Sequence, residues 1–161
     1  MDEDDIEALF ADLTLRREIE DVVLKEAALL DDGKLSEWVA LFDREGVYWI
    51  AASPDQQDPL DGTSPFFGTP MTIGKAFPNR PAGLRSVRSV GSIRIENRNP
   101  KLGAFEVSAS FVLAERRDGG ETVTAGRYDF ALLRGGPGEF RIAAKRVAVL
   151  SGSAAGRDFP I

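Results

Sequence analysis

Five polar residues have the types and positions to do chemistry: Asp43, Tyr48, Arg127, Asp129 and Arg146. All lie in or beside stretches whose apolar residues belong to a core. A carboxylate in an apolar pocket, with a tyrosine hydroxyl as donor, is able to abstract a proton next to a carbonyl. Asp43 and Tyr48 offer that pair, with Arg127 and Asp129 as further polar groups. Against it, Arg127 and Asp129 are two apart on one strand and so share a face, where a solvated or interfacial ion pair is the ordinary outcome. Nothing in the spacing draws the five residues to one point. The sequence therefore assigns no catalytic, cofactor-binding or metal-binding residue.

What the chain lacks narrows the chemistry further. Its 161 residues include no cysteine and no histidine. That removes disulfides, thiolate zinc sites, Fe–S clusters and cysteine nucleophiles. It also removes Ser-His-Asp triads, the two-histidine-one-carboxylate iron site and the commonest general base. The glycines at 135–138 precede a strand rather than a helix, so they form a hairpin turn and not a phosphate loop. A net charge of −6 and a pI of about 4.8 argue against nucleic acid as a partner. The charge is uneven, with 12 acidic and 3 basic residues among positions 1–32 and a net +3 over the remainder. No apolar run reaches the roughly 20 residues a membrane helix needs. The start Met1-Asp2-Glu3-Asp4-Asp5 is the reverse of a signal peptide's basic opening, and a cytoplasmic protein is expected.

The elements that would position these residues follow from periodicity. Residues 3–31 read as helix: Ile6, Leu9, Phe10 and Leu13 form one apolar stripe, and Leu15, Ile19, Val22, Val23 and Leu30 continue it. Thr14 is placed to cap and split that stretch, and Gly33 to stop it. A second helix is expected at 35–43, then a strand at 47–51. From 53 to 83 six prolines deny a long helix, while Phe66, Phe67, Met71, Ile73 and Phe77 make the stretch too apolar for a free linker. It reads as an ordered excursion pinned at its aromatics and loosest at 55–62. After residue 84 the period becomes 2, giving strands at 85–96, 105–113, 122–133 and 139–150, with a hairpin turn at Arg117-Asp118-Gly119-Gly120. Helices followed by an antiparallel meander mean one α+β domain over 1–161.

The stretch from Ile19-Glu20-Asp21 through Lys25-Glu26-Ala27-Ala28-Leu29-Leu30-Asp31-Asp32-Gly33 to Trp38, and on through Gly46-Val47-Tyr48-Trp49-Ile50, resembles the small β subunit of bacterial ring-hydroxylating dioxygenases. The arginine-rich 85–95, Gly126–Arg134 and Phe140–Val147 resemble that family's sheet strands. The resemblance implies an NTF2-like, SnoaL-like fold: a cystatin-like cone of helices on a strongly curved antiparallel sheet. It implies a non-catalytic assembly role in the catabolism of aromatic compounds. The Rieske 2Fe-2S cluster and the mononuclear iron would sit on a partner large α subunit, with none on this chain, and self-association as a trimer is expected. The Pro-rich 53–83 departs from the family's helical, Arg-containing segment. The alternative is a stand-alone pocket protein of the same superfold, a dimeric small-molecule binder, lyase or isomerase. Its residues would be Asp43, Tyr48, Arg127 and Asp129.

Overall fold

The acidic opening of the chain is a helix start. In the computed structural model, which describes residues 1–152 and 154–161, helix α1 spans Glu3–Asp31. Asp2 caps it: the Asp5 N–H donates to the Asp2 carboxylate (2.9 Å), and the Asp2 N–H donates back to Asp5 (3.1 Å). Glu3, Asp4 and Asp5 face the positive end of the helix dipole. With the cap satisfied upstream, Thr14 does not split the helix, contrary to the sequence expectation. Gly33 does stop it. Its φ is +70°, and Lys34 and Gly33 donate to the Leu29 and Leu30 carbonyls (2.8 and 3.0 Å).

Helix α2 covers only Leu35–Val39 rather than 35–43, because the chain is extended from Phe42 onward. Strand β1 (Phe42–Ile50) is broken by a bulge between Phe42 and Val47. The excursion holds two regular pieces that its prolines concealed, β2 (Phe66–Gly68) and α3 (Pro70–Ala76). Pro70 opens α3, where its missing N–H costs nothing. The four long strands are β3 (Arg85–Asn99), β4 (Ala104–Arg117), β5 (Gly120–Arg134) and β6 (Phe140–Ser151). Asp118 and Gly119, both at positive φ, make the β4–β5 turn.

The sheet order is β2-β1-β6-β5-β4-β3, open at both edges. It is mixed, which corrects the expectation of antiparallel pairing throughout: β1 runs parallel to β6, with Val47–Ile50 opposite Ala144–Val147. The excursion and the meander carry the chain back so that the last strand arrives beside the first. One face of the sheet covers the inner side of α1. Val107, Phe111 and Leu113 from β4 and Tyr128, Phe130 and Leu132 from β5 bury there with Ile19, Val23 and Leu30. The result is the expected α+β cone, helices on one face of a sheet.

Gly126 marks the tightest strand contact. A Cβ there would fall inside the envelope of the Ala148 carbonyl oxygen and touch the Phe111 ring. Gly126→Ala is expected to destabilise the fold by about 1–3 kcal/mol through overpacking. Thermal unfolding would contradict this if the variant melted at or above the parent's temperature.

Candidate functional site

Inside the cone lies a cluster built on two charges that sequence reading did not single out. Glu26 comes from the buried face of α1 and Lys145 from the inward face of β6, and their side chains are 1% and 0% exposed. They form a direct ion pair. Trp38 Nε1–H of α2 donates to Glu26 Oε1 (2.7 Å). Four aromatic rings surround the Lys145 ammonium: Tyr128 at 4.2 Å, Trp38 and Phe130 at 5.7 Å and Tyr48 at 5.8 Å. An ammonium facing ring π-clouds is stabilised where water is excluded. Burial still weakens its hold on the proton, and the Lys145 pKa falls to about 8. Burial also pushes the Tyr48 and Tyr128 hydroxyls well above the ordinary tyrosine value, so both stay protonated.

A second pair closes one side. Arg88 of β3, buried to its guanidinium, pairs with Asp31 at the end of α1, which also accepts from the Arg88 N–H (2.8 Å) and Ser86 Oγ (2.9 Å). The interior between the pairs is filled by the chain itself. Phe159 and Ile161 are 1% and 0% exposed. The Ile161 N–H donates to Tyr48 Oη (2.9 Å), Lys145 Nζ donates to the Ile161 main-chain oxygen (2.9 Å), and Arg88 Nη2 donates to the Pro160 carbonyl (2.7 Å). Outside the cone, a groove of about 670 Å³ runs between the β4–β5 hairpin and the approach to this segment, past Thr122, Thr124, Arg117 and Arg157.

The structure separates the five residues chosen from sequence. Tyr48 alone reaches the interior, where its hydroxyl meets Ile161. Asp43 sits in the β1 bulge, paired with the exposed Arg141 (3.3 Å). Asp129 pairs across strands with Arg146 (3.3 Å) rather than with its neighbour Arg127. Arg127 is exposed, without an ion pair among the described residues. Arg146 instead secures the excursion, donating to the Pro54 and Gln56 carbonyls (3.0 and 2.7 Å) over the Trp49 ring. The stretch 55–62 is thereby tied down, and Gln56 binds it again from within, accepting from Ala52 N–H and donating to the Asp61 carbonyl. Of the excursion's aromatics, Phe77 is buried and Phe66 packs between it and Tyr48, while Phe67 is half exposed.

The buried pairs had a signal in the sequence. Glu26 follows Ile19 and Val23 at steps of four and three, and Lys145 precedes Val147 by two, so each charge holds an apolar position. Among the described residues no group of three or more His, Cys, Asp or Glu is placed to hold a metal. No helix among them is long and apolar enough to cross a membrane.

Residues 11–146 match the SnoaL-like domain. The chain belongs to this SnoaL-like family. Among curated proteins no significant match occurs. The fold recurs in the β subunit of a candidate aromatic-ring-hydroxylating dioxygenase from Novosphingobium aromaticivorans. The TM-score is 0.72 at 18% identity, over 89% of this chain and 94% of that one. It recurs in the β subunit of benzoate 1,2-dioxygenase from Burkholderia mallei, with TM-score 0.64, 16% identity, and 81% and 87% covered. A candidate scytalone dehydratase from N. aromaticivorans is as similar, with TM-score 0.64, 15% identity and 92% of each chain covered. These likenesses show the shared fold, which recurs in proteins described as dioxygenase β subunits and as a candidate dehydratase.

Proposed function

We propose that this chain is a non-catalytic assembly subunit of a ring-hydroxylating dioxygenase. The observation that carries the reading is the first part of α1. Between Glu3 and Leu13 it buries no residue, and Ile6, Leu9, Phe10 and Leu13 are 40–66% exposed along one stripe. A helix stripe of that kind left in water marks a protein contact. The outer face of the sheet adds exposed Val87, Val112 and Val123 on β3, β4 and β5. The interior filling by residues 159–161 supports the same reading, since the groups that would meet a substrate already hold the chain's own backbone. With no histidine or cysteine, this chain lacks the thiolate and imidazole ligands of a Rieske cluster and of a two-histidine-one-carboxylate iron. Those centres would belong to a large α subunit, with this chain as a cytoplasmic trimer beside it.

Co-expression with a Rieske-type dioxygenase large subunit is expected to yield a complex that binds iron. Leu9→Asp/Phe10→Asp places charge on the stripe and should abolish co-purification while leaving the melting temperature of this chain within a few degrees. A large subunit that never co-purifies with the parent overturns the reading. The second reading, a stand-alone binder, lyase or isomerase, draws on the charged and hydroxyl groups inside the cone, Glu26, Lys145 and Tyr48. Light scattering separates the two, a trimer favouring the first and a dimer the second.

A further inference from the structure

One end of the sheet's outer face is apolar and open. A groove of about 340 Å³ crosses β3, β4 and β5 there, with Val87, Ala114 and Val123 along its floor. Val87 and Val123 are exposed. Arg85 and Arg116 flank the floor, directly opposite each other in the β3–β4 ladder. Like charges so placed repel. Arg116 reaches only the exposed Glu121, at 3.7 Å, and Arg85 forms no ion pair among the described residues. Glu115, the other acid at the groove, is committed to Arg157. The face is thus an apolar floor with a positive rim short of counter-charge.

The chain presents the complement elsewhere. Leu60 stands 85% exposed in the loop 53–64, whose only charges are Asp55, Asp58 and Asp61. The loop is not free to fold this leucine away. Buried Gln56 ties it from within, the Leu60 N–H donates to Asp58 Oδ1 (2.9 Å), and the Asp61 N–H donates to the Asp58 carbonyl (3.0 Å). Trp49 Nε1–H donates to Ser64 Oγ (2.8 Å), and Arg146 holds the Pro54 and Gln56 carbonyls. An apolar side chain already fixed outward needs little further ordering to bind. Loop and groove do not meet in one chain, since no loop residue lines the groove. Arg146, which holds the loop, lies opposite Asp129, six residues along β5 from Val123. That is about 20 Å at the rise of a strand.

We propose that the groove takes the Leu60 loop of a second copy of this chain. Leu60 enters between Val87 and Val123, and Asp55 and Asp61 meet Arg85 and Arg116. Two different surfaces then form each contact, so the interface is heterologous and closes as a ring. This interface rests on the trimer of the proposed function and supplies its surfaces, leaving the α1 stripe to the large subunit.

The test is size-exclusion chromatography with light scattering on the full chain, where the parent should run as a trimer. Leu60→Asp spoils the insert and Val123→Asp the groove floor. Both positions are exposed, so each variant should fold and run as a monomer. An equimolar mixture of the two should form a one-to-one dimer, because one variant keeps its groove and the other its loop. Asp55→Lys/Asp61→Lys should raise the concentration of half-dissociation about ten-fold or more, since like charges then face each other. Adding Arg85→Glu/Arg116→Glu to that chain should reverse the loss. A monomeric or dimeric parent overturns the proposal, as does a trimer that survives Leu60→Asp or Val123→Asp. So does a mixture that stays monomeric, or a trimer dissociated by Leu9→Asp/Phe10→Asp instead. Should an aspartate variant fail to fold, Leu60→Ser and Val123→Thr are read for the same loss. Iron uptake with a large subunit is scored separately, so a trimer insensitive to these substitutions leaves the assembly reading standing.

Discussion

Lys145→Met is expected to lower the unfolding free energy by about 3–5 kcal/mol, the cost of leaving one charge of a buried pair alone. Methionine fills the stem's space, so the loss isolates the ammonium. What remains is the Glu26 carboxylate, 1% exposed, with only the Trp38 N–H to stabilise it. The companion variant Lys145→Met/Glu26→Gln keeps the acceptor for Trp38 and removes the stranded charge. It should be more stable than the single variant, an inversion that only coupled residues produce. Urea unfolding of the set decides it. A single variant within 1 kcal/mol of the parent would mean that the carboxylate finds water.

The same pair sets a pH dependence. Burial lowers the Lys145 pKa to about 8, against 10.5 for the ordinary side chain in the unfolded chain. Between those values the unfolded chain holds a proton that the folded chain has released. Stability from this group therefore rises with pH across about 8 to 10.5 and is flat below. The difference in unfolding free energy between parent and Lys145→Met should widen over that window, and a difference that narrows would reverse the assignment.

How much of this was legible in sequence depends on the range of the interaction. The α1 helix, its Gly33 stop and the four long strands follow from local periodicity and turn chemistry, which residues 84–150 display without conflict. The parallel β1–β6 pairing is a contact between residues about a hundred positions apart. No local pattern encodes it. The Pro-rich stretch misled in the other direction: Pro70 opens a helix because an N1 proline is tolerated, although six prolines together read as irregular. The segment 157–161 is too short for any periodicity, and its place comes wholly from tertiary bonds. Glu26 and Lys145 were hidden for a related reason. A charge at an apolar position looks like an interruption until its partner, supplied by another element, is seen.

Asp31 shows how far one carboxylate can matter when its partner is buried. Asp31 is 21% exposed, but Arg88 is fully enclosed, and the carboxylate joins the end of α1 to β3 through the Arg88 guanidinium, the Arg88 N–H and Ser86 Oγ. Asp31→Ala strands the guanidinium's charge in the interior, with the Pro160 carbonyl (2.7 Å) and Ser86 Oγ (3.1 Å) as its remaining acceptors. The expected cost is about 3 kcal/mol, the low end for breaking a buried pair because water reaches one side of it. The exposed Arg17–Asp21 pair, 77% and 63% accessible, is the control. Asp21→Ala there should change stability by well under 1 kcal/mol, since exposed pairs gain little over their hydrated charges. Near-equal losses from the two substitutions in urea unfolding would show that Arg88 is solvated in the folded chain. A large loss at Asp31 alone would tie the stability of the cone to its enclosed charges rather than to the number of its ion pairs.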